Sequence, residues 1–432
     1  MSISSLFREF RENISVDNSS NISSKYEEIT CALNGKFRNS SSKTDNSLQV
    51  GSYGRHTAIK GISDLDMLYI LPSNKWEEYK NGGQYKLLRE CRDAILYRYP
   101  RTTISVDRLV VTVTYKNFHV EVQPVFEKTD GSFFYPDTYN GGSWKTTKPR
   151  EEIKAMKDFD GEKNKNFRRL CKMVRAWKNK HGIPMGGLLI DTLVHNFFKG
   201  TNNYNDTSYS NYHLMSRDFF LFLSELPKND KFHAIGSNQH VKVKKNFQKY
   251  ARNAYELCLS AIKANDDETI SRRWKKIYGK NFPSVGIVKS SIESIQENGF
   301  TYTNTEQFFE DLFPEDIRYN IEIDCLIEQN GFRNDSLSNI LFSRRRLGRN
   351  KKLIFYIKSN DIEGDFQIYW KIKNVGIEAI KRDCVRGQII KDTGKNQKIE
   401  TTDFYGDHIA ECAAVQNGVV VAKTSIEVPI DI

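Results

Sequence analysis

Two aspartates inside an apolar run constrain the fold more than any other feature of the sequence. Asp64 and Asp66 belong to DLDMLYI, a short run that is typical of a buried β-strand. Because side chains alternate between the two faces of a strand, both aspartates point the same way. Two like charges buried side by side are costly unless a positive charge compensates them. The pair therefore predicts a site for a hard divalent cation, Mg²⁺ with Mn²⁺ as the alternative.

A third carboxylate is expected from a later strand. FHVEVQPVF places Glu121 and His119 on one strand face, and Pro124 is expected to end the ladder and leave Glu121 near an edge. Two metals held by Asp64, Asp66 and Glu121 would activate an attacking hydroxyl and stabilise a pyrophosphate leaving group. We therefore predict these three acids as the catalytic and metal-binding residues. Glu121 is the acid expected to accept the proton of the hydroxyl.

The segment before the aspartates, VGSYGRHTAIKG, contains a turn of small residues. Gly51 permits close approach of the backbone, and Ser52 can present a hydroxyl and an N–H group to a phosphate. Arg55 and Thr57 follow closely enough to contact the same triphosphate. No GK[ST] follows the turn, so it is not a Walker A loop. These four residues are predicted to bind substrate.

The overall charge and the cysteines bear on partners and compartment. The net charge of +11 favours an anionic partner such as a nucleotide or RNA, although a lysine-rich host proteome would give the same balance. The seven cysteines are dispersed without the spacing of metal ligands or of a disulfide framework. Neither a secretion signal nor an apolar span of membrane length is recognisable. We therefore expect a cytoplasmic protein that does not contact a membrane.

The acids and the turn resemble those of the polymerase-β-like nucleotidyltransferases, in particular the cGAS/DncV-like nucleotidyltransferases of bacterial anti-phage systems. Members of that family carry a GS turn, a [DE]x[DE] pair and a later acid before a proline, which here are Gly51-Ser52, Asp64-Leu65-Asp66 and Glu121 with Pro124. The resemblance implies an active site between a β-sheet lobe and a helical lobe. It also implies Mg²⁺-dependent synthesis of cyclic di- or oligonucleotides from nucleoside triphosphates (NTPs) in anti-phage (CBASS) defence, with a product that activates an effector protein.

The helical stretch RRLCKMVRAWKNK supports this resemblance. Relatives have a lysine two places before a tryptophan, where it holds the donor triphosphate, and here Arg175 occupies that position before Trp177. Helical spacing puts Arg168, Lys172 and Arg175 on one face, so Lys172 and Arg175 are predicted to bind substrate. A solvated cationic face is the alternative interpretation. The serine and acid that relatives carry further on are replaced by GGLLIDTL, which departs from the family pattern.

The character of the sequence changes near residue 346, where short strands separated by turn residues predict a small all-β sandwich. WKIKNVGIEA, VRGQI and ETTDFYGDHIAEC resemble the C-terminal sensor domain found alongside adenylyl/guanylyl cyclases and these synthases. That resemblance implies binding of a ligand such as a nucleotide or a nucleic acid. Arg386 and His408 are the candidate contacts, whereas Trp370 alternates with isoleucines and is expected in the core.

An α+β fold is the expected class. It combines a polymerase-β-like nucleotidyltransferase lobe and a helical lobe with a small all-β sandwich. The expected divisions are a core lobe with an N-terminal helix (1–160), a helical lobe (161–285), a linker (286–345) and the sandwich (346–432).

Two other functions fit the same residues. One is a template-independent transferase that adds nucleotides to RNA or to a protein, for which the basic run from Arg344 to Lys352 leaves room. The other is a non-catalytic nucleotide sensor in which the sandwich is the working part. The three intact acids argue against the sensor. The bases that are joined, their linkage and the ring size cannot be read from the sequence.

Overall fold

The computed structural model describes residues 2–17, 19–61, 64–116, 118–285, 306–329, 331, 333–343, 345–374, 378–379, 382, 384–403 and 405–430. Part of the predicted linker, 286–305, and Arg344 of the basic run lie outside these residues. The chain folds into two compact units. The first comprises 1–177, 186–264 and 273–283, and the second 178–185, 265–272 and 284–432.

A mixed sheet of seven strands forms the centre of the first unit. The strands are β1 Ser47–Gln49, β2 Asp64–Ile70, β3 Thr103–Val106, β4 Val111–Thr114, β5 His119–Glu127, β6 Phe133–Asp137 and β7 Ser143–Thr147. In the part of the chain that is described, their order is β1-β2-β5-β4-β3, with β6 paired to β5 and β7 to β6. β2 and β5 are neighbours in this sheet and run parallel to each other.

The helices up to residue 283 belong mostly to the first unit, although 178–180 and 267–272, which lie in two of them, are grouped with the second. They are α1 Ile3–Asn13, α2 Ser19–Arg38, α3 Gly51–Gly54, α4 Trp76–Tyr79, α5 Gln84–Arg98, α6 Pro149–Glu162, α7 Asn166–Lys180, α8 Gly187–Lys199, α9 Tyr212–Glu225, α10 Gln248–Ile262 and α11 Asp267–Tyr278. A hairpin of β8 Lys231–His233 and β9 His240–Lys242 lies between α9 and α10. No helix among the described residues is both long and apolar enough to cross a membrane.

The face of β2 opposite the aspartates is buried, as the alternation predicted. Leu65, Met67 and Tyr69 pack with residues of α2 and α5 in one hydrophobic core. This burial fixes the register of β2, because a slip of one residue would turn Asp64 and Asp66 into the core. The two carboxylates are therefore held on the other face by the packing behind them.

Pro124 does not end its strand, so that expectation is wrong. β5 continues beyond it, and Pro124 is opposite Tyr69 of β2 in the parallel ladder. On the other side, β4 pairs with β5 only as far as Val122, and β6 begins to pair at Phe126. Pro124 thus lies in the part of β5 that pairs with neither β4 nor β6. Its missing N–H therefore costs no hydrogen bond to either strand. Glu121 consequently lies on a central strand rather than at an edge.

The second unit contains two antiparallel sheets of four strands each within the described ranges. Their strands are β10 Ile321–Glu328, β11 Asp335–Ser336, β12 Lys352–Asn360, β13 Gln367–Asn374, β14 Arg386–Lys391, β15 Gln397–Thr401, β16 His408–Gln416 and β17 Val419–Val428. The orders are β11-β10-β12-β15 and β14-β13-β16-β17. Phe355 of the first sheet and Trp370 of the second share a buried core. The α+β fold with a C-terminal sandwich and the core position of Trp370 are thus confirmed.

The sandwich begins earlier in the chain than the sequence indicated. β10 lies inside the predicted linker, yet it pairs with β12 and buries Ile321, Cys325 and Ile327 in the shared core. Short helices at Phe309–Leu312 and Leu337–Phe342 precede and follow it. The alternation in IEIDCLIE is typical of a half-buried strand, but the polar segments around it concealed the pattern.

Candidate active site

The parallel pairing of β2 and β5 brings the predicted acids together. Its register sets Asp64 beside His119 and Asp66 beside Glu121. Carboxylate oxygens of Asp64 and Glu121 and a ring nitrogen of His119 all lie within 4.8 Å of one another, so the three could hold a metal ion. The side chains of Asp64 and Glu121 are 19% and 22% exposed, so a ligand can reach them.

His119 is a site residue that sequence reasoning missed. Its Nε2 atom lies 3.5 Å from Oε1 of Glu121 and 3.9 Å from Oδ1 of Asp64. The side chain is buried, which fixes the ring between the two carboxylates. Its place two residues before Glu121 on the same strand face was the signal that could have found it.

Asp66 lies against the glycine-serine turn. A Cβ atom on Gly51 would overlap the Asp66 carboxylate, and Gly51 has a φ of +61° that other residues rarely adopt. The Val50 N–H donates to the Asp66 carbonyl at 3.0 Å, and the Tyr26 hydroxyl donates to the same oxygen at 2.8 Å. Burial and the Asp66 carboxylate raise the pKa of Tyr26 well above its usual value, which keeps this donor protonated. The turn and the strand are thus locked together at Asp66.

Ser52 lies in α3, the short helix that follows this contact. Its carbonyl accepts backbone hydrogen bonds from Thr57 at 2.9 Å and from Ala58 at 3.0 Å. These bonds fold the chain back immediately after α3. Gly51 and Ser52 are therefore brought to the aspartate strand, and their contact with a phosphate remains a prediction.

Arg55, Thr57 and Arg175 meet around Asp191, a buried acid in α8; we call these four residues the Asp191 cluster. Arg55 Nε lies 2.9 Å from Oδ2 of Asp191, and Arg175 Nη1 lies 2.7 Å from Oδ1. The Thr57 hydroxyl donates to Oδ2 at 3.3 Å. Burial opposes the ionisation of Asp191, but Arg175 and Arg55 outweigh it, and the pKa of Asp191 lies below its usual value.

The Asp191 cluster gives its arginines an immediate partner other than the predicted triphosphate. Arg175 also donates to the carbonyls of Cys171 at 3.3 Å and Gly187 at 3.0 Å. Both arginines are only 6% exposed. The cluster joins the segment after α3 to α7 and α8. It therefore helps to hold the glycine-serine turn in place without belonging to it. Sequence reasoning gave Asp191 no role, although an acid inside the apolar run LLIDTLV signals a buried ion pair.

Lys172 faces a separate cavity, so the predicted basic face is divided between two places. Lys172 and Arg168 line a cavity of about 380 Å³, whereas Arg175 turns into the Asp191 cluster. Among the described residues, none of the three predicted catalytic acids lines this cavity. The structure therefore does not bring Lys172 to the carboxylate site.

Two domain families match the chain. Residues 1–160 match the Second Messenger Oligonucleotide or Dinucleotide Synthetase (SMODS) domain, and residues 303–431 match the Adenylyl/Guanylyl and SMODS C-terminal sensor domain. The chain belongs to the cGAS/DncV-like nucleotidyltransferases. Both parts of the resemblance drawn from the sequence are confirmed, and this nucleotidyltransferase is an enzyme of the class that makes cyclic oligonucleotides. No curated protein matches the chain.

Several solved structures align with this nucleotidyltransferase at low identity. CdnC of E. coli MS115-1 with ATP is 14% identical over 66% of this chain and 99% of its own, with a TM-score of 0.49. The same CdnC in complex with HORMA-deltaN is 15% identical over 65% and 98%, with a TM-score of 0.47. Apo DncV of Vibrio cholerae is 14% identical over 55% and 69%, with a TM-score of 0.45. The family assignment therefore depends on the two domain matches.

The sensor domain of this nucleotidyltransferase brings both of its candidate residues next to β13. Arg386 is opposite Lys373, and His408 is opposite Asn374. Two hydrogen bonds of 2.6 and 3.0 Å join the Arg386 guanidinium to Glu400. Burial lowers the pKa of His408, although the Glu400 carboxylate opposes that shift. Ligand binding by Arg386 and His408 remains a prediction.

Proposed function

We propose that this nucleotidyltransferase joins NTPs into a cyclic di- or oligonucleotide second messenger, with Mg²⁺ as its cofactor, in bacterial anti-phage (CBASS) defence. The observation that carries the proposal is the position of Asp64, Asp66 and Glu121 on adjacent parallel strands, with the Gly51 turn against them. The SMODS match over the same part of the chain supports the reaction class.

The donor set suits a hard divalent cation. Asp64 and Glu121 bring carboxylate oxygens together, and Asp66 is opposite Glu121 in the register of the sheet. Oxygen ligands of this kind favour Mg²⁺, and Mn²⁺ fits the same set. We assign Asp64, Asp66 and Glu121 as ligands and His119 as the residue that positions their carboxylates. When bound, the metal supplies positive charge to the attacking hydroxyl and to the leaving pyrophosphate.

The residues of the chain then have separate parts in the transfer. A ribose hydroxyl of one nucleotide forms a bond to the α-phosphorus of another as the bond to pyrophosphate breaks. Glu121 is positioned on the same face as the aspartates to accept the hydroxyl proton. Ser52 and the backbone of Gly51 offer O–H and N–H groups to the donor triphosphate. The Asp191 cluster acts indirectly, because it holds the segment that follows α3.

The proposed product acts on a separate effector protein. The second unit is proposed to bind a nucleotide or a nucleic acid near Arg386 and His408, a role supported by the match to the sensor family. We also propose a cytoplasmic location, where NTPs are available.

Product analysis tests the proposed reaction. The purified chain is incubated with each labelled NTP and Mg²⁺ or Mn²⁺, and the mixture is then treated with phosphatase. A small phosphatase-resistant product is expected, and chelation of the metal should abolish it. Label in added RNA or in protein would favour the transferase alternative, whereas unchanged NTP would favour the non-catalytic sensor.

A double substitution tests the assignment of the acids. Asp64→Asn with Asp66→Asn should abolish product while the circular dichroism spectrum and thermal midpoint stay close to those of the unsubstituted chain. Asp158→Asn is the matched control, since Asp158 is a surface acid of α6 paired with Lys154 at 2.7 Å. Full activity in the double variant would contradict the proposal.

A further inference from the structure

A basic cavity of about 380 Å³ lies where α1, the segment after α3 and the start of α7 come together, within the size range of small-molecule sites. Its cationic and potentially cationic lining residues are Arg11, Lys165, Arg168, Arg169, Lys172 and His56. Asp160 is the one acid among the described residues that line it. The wall therefore holds five lysine and arginine charges against a single carboxylate.

The protein neutralises only part of this charge. Asp160 accepts the Arg168 backbone N–H at 2.9 Å, and its Oδ2 lies 3.6 Å from Nη1 of Arg168. Within the described ranges, Nε and Nη1 of Arg11 and Nε of Arg168 are buried without a hydrogen-bond partner. A buried N–H without an acceptor is costly, and folded proteins rarely keep one. These nitrogens indicate an acceptor that comes from outside the chain.

Burial and the neighbouring positive charges both disfavour the protonated forms of two titratable groups in the cavity. Burial, followed by the charges of Arg11, Arg175 and Arg168, lowers the pKa of Lys172 to about 8. Burial and the charges of Arg168 and Lys172 also lower the pKa of His56. Negative charge in the cavity would remove this penalty, because it favours the protonated form of both groups.

We propose that this cavity binds a small multivalent oxyanion, a polyphosphate or a polycarboxylate. The guanidinium groups of Arg11 and Arg168 can pair with two oxygens at once, and Lys172 adds a further positive charge. A monovalent anion would leave most of the charge in the wall uncompensated, so the ligand carries several negative charges. His56 and Lys165 are exposed at the cavity, which gives a small ligand a way in.

The site is distinct from the carboxylate site, yet it adjoins the segments that support it. His56 follows Ser52 by four residues, and its φ of +60° shows that this turn holds a strained backbone conformation. Lys172 precedes Arg175 of the Asp191 cluster by almost one helical turn. The binding itself does not depend on the proposed catalytic function, because it can be measured in a chain that lacks the aspartates.

Calorimetric titration tests the site in the chain carrying Asp64→Asn and Asp66→Asn, after divalent metals have been removed from protein and buffer on a chelating resin so that no soluble polycarboxylate chelator is present. These conditions remove metal-bound phosphate at the carboxylate site as a source of signal. Tripolyphosphate and citrate are titrated separately, with acetate as the monovalent probe. We expect one equivalent of tripolyphosphate or citrate to bind, and acetate to bind at least tenfold more weakly. Whichever of tripolyphosphate and citrate binds more tightly identifies phosphate or carboxylate as the ligand group. The absence of saturable binding in both titrations would overturn the proposal.

Substitutions at the cavity test whether the anion binds to these particular residues or is attracted by the overall positive charge of the protein. Arg11→Gln with Arg168→Gln should weaken the binding of tripolyphosphate at least tenfold. Lys154→Gln removes one positive charge from an exposed position of α6 and should leave the affinity unchanged. Equal affinity in the two variants would show that the anion is attracted by the net charge of +11 alone, and would overturn the proposal.

Amine labelling of the unsubstituted chain keeps the test independent of any variant. At pH 8, Lys172 should be acetylated rapidly because about half of its amine is neutral. Saturating tripolyphosphate should slow this labelling at least fivefold and leave the Lys154 peptide unaffected. The protection should persist with Mg²⁺ and a saturating non-hydrolysable ATP analogue. Protection by the ATP analogue alone would show that the cavity holds the donor triphosphate, and would overturn the assignment of a second site.

Discussion

At the scale of single residues, Gly51 sets how closely the glycine-serine turn approaches the acids. Its φ of +61° places the turn so that a Cβ would overlap the carboxylate of Asp66. Gly61 has a similar φ of +78°, but no atom lies within 4 Å of its Cβ position in the described structure. Substitution of either glycine by alanine should strain the backbone, but only substitution of Gly51 should also displace the carboxylate of Asp66, a proposed metal ligand. Comparing the two substitutions therefore distinguishes these effects.

Gly51→Ala should reduce the rate of product formation by about 100-fold, because it moves a carboxylate at the reacting centre. Gly61→Ala should retain near-normal activity. Both variants should lose about 1–2 kcal/mol of stability from the left-handed backbone conformation. Initial rates with labelled NTP and chemical unfolding measure the two effects. Equal losses of activity in both variants would show that the contact with Asp66 does not matter.

Lys172 gives a prediction about pH, measured in a buffer free of multivalent anions. Its pKa of about 8 in the folded chain is below the ordinary value of 10.5, because of burial and then the charges of Arg11, Arg175 and Arg168. Below pH 8 the amine is charged in the folded and unfolded states, so folding bears the full cost of burying it. Between pH 8 and 10.5 only the unfolded state keeps the proton, so stability rises with pH in that window.

Lys172→Met should therefore be more stable than the unsubstituted chain at pH 7. The expected gain is about 1–2 kcal/mol, because solvent at the cavity screens the charges. The difference should shrink as the pH is raised above 8. Chemical unfolding at several pH values measures it, with Lys154→Met as the exposed control. A gap that widens above pH 8 would contradict this account of Lys172.

At the scale of secondary-structure elements, the Asp191 cluster joins the segment after α3 to α7 and α8. Asp191→Asn keeps the shape of the side chain but leaves the buried Arg175 without the Asp191 charge, and leaves Arg55 with the more distant carboxylate of Glu152 at 3.9 Å. The expected loss of stability is about 3 kcal/mol or more. The KM for NTP should also rise, since the segment behind Ser52 loosens. Asp158→Asn removes an exposed acid and should change neither value; similar stability of both variants would contradict the structural role of the cluster.

The elements also show what could be predicted from the sequence. The face of β2 that carries Asp64 and Asp66 follows from alternation alone, because its opposite face is uniformly apolar. The position of Pro124 does not, because it depends on where two other strands stop pairing with β5. His119 and Asp191 were missed for a related reason. Asp191 acquires its role from partners in other elements, with Arg55 136 residues away, and His119 acquires its role only when β2 brings Asp64 beside the Glu121 of its own strand.

At the scale of the whole molecule, each unit has its own hydrophobic core. Leu87 of α5 is fully buried in the core behind the aspartate strand, and Leu353 of β12 is fully buried in the core of the sandwich. All of the proposed catalytic residues belong to the first unit, and the candidate sensor residues belong to the second. Catalysis should therefore respond differently to equal damage in the two cores.

Leu87→Ala and Leu353→Ala should each cost about 2–5 kcal/mol in the unit that carries the substitution. Hydrogen exchange read by mass spectrometry should increase in α2, α5 and β2 for Leu87→Ala, and in β10, β12 and β13 for Leu353→Ala. At a temperature where both variants remain folded, Leu353→Ala should keep its rate of product formation within twofold, whereas Leu87→Ala should lose more because its cavity lies behind the aspartate strand. The contrary outcome would be that Leu353→Ala abolishes product formation while hydrogen exchange in β2 and β5 stays unchanged. That result would show that the sandwich controls catalysis and that the first unit does not determine the activity by itself.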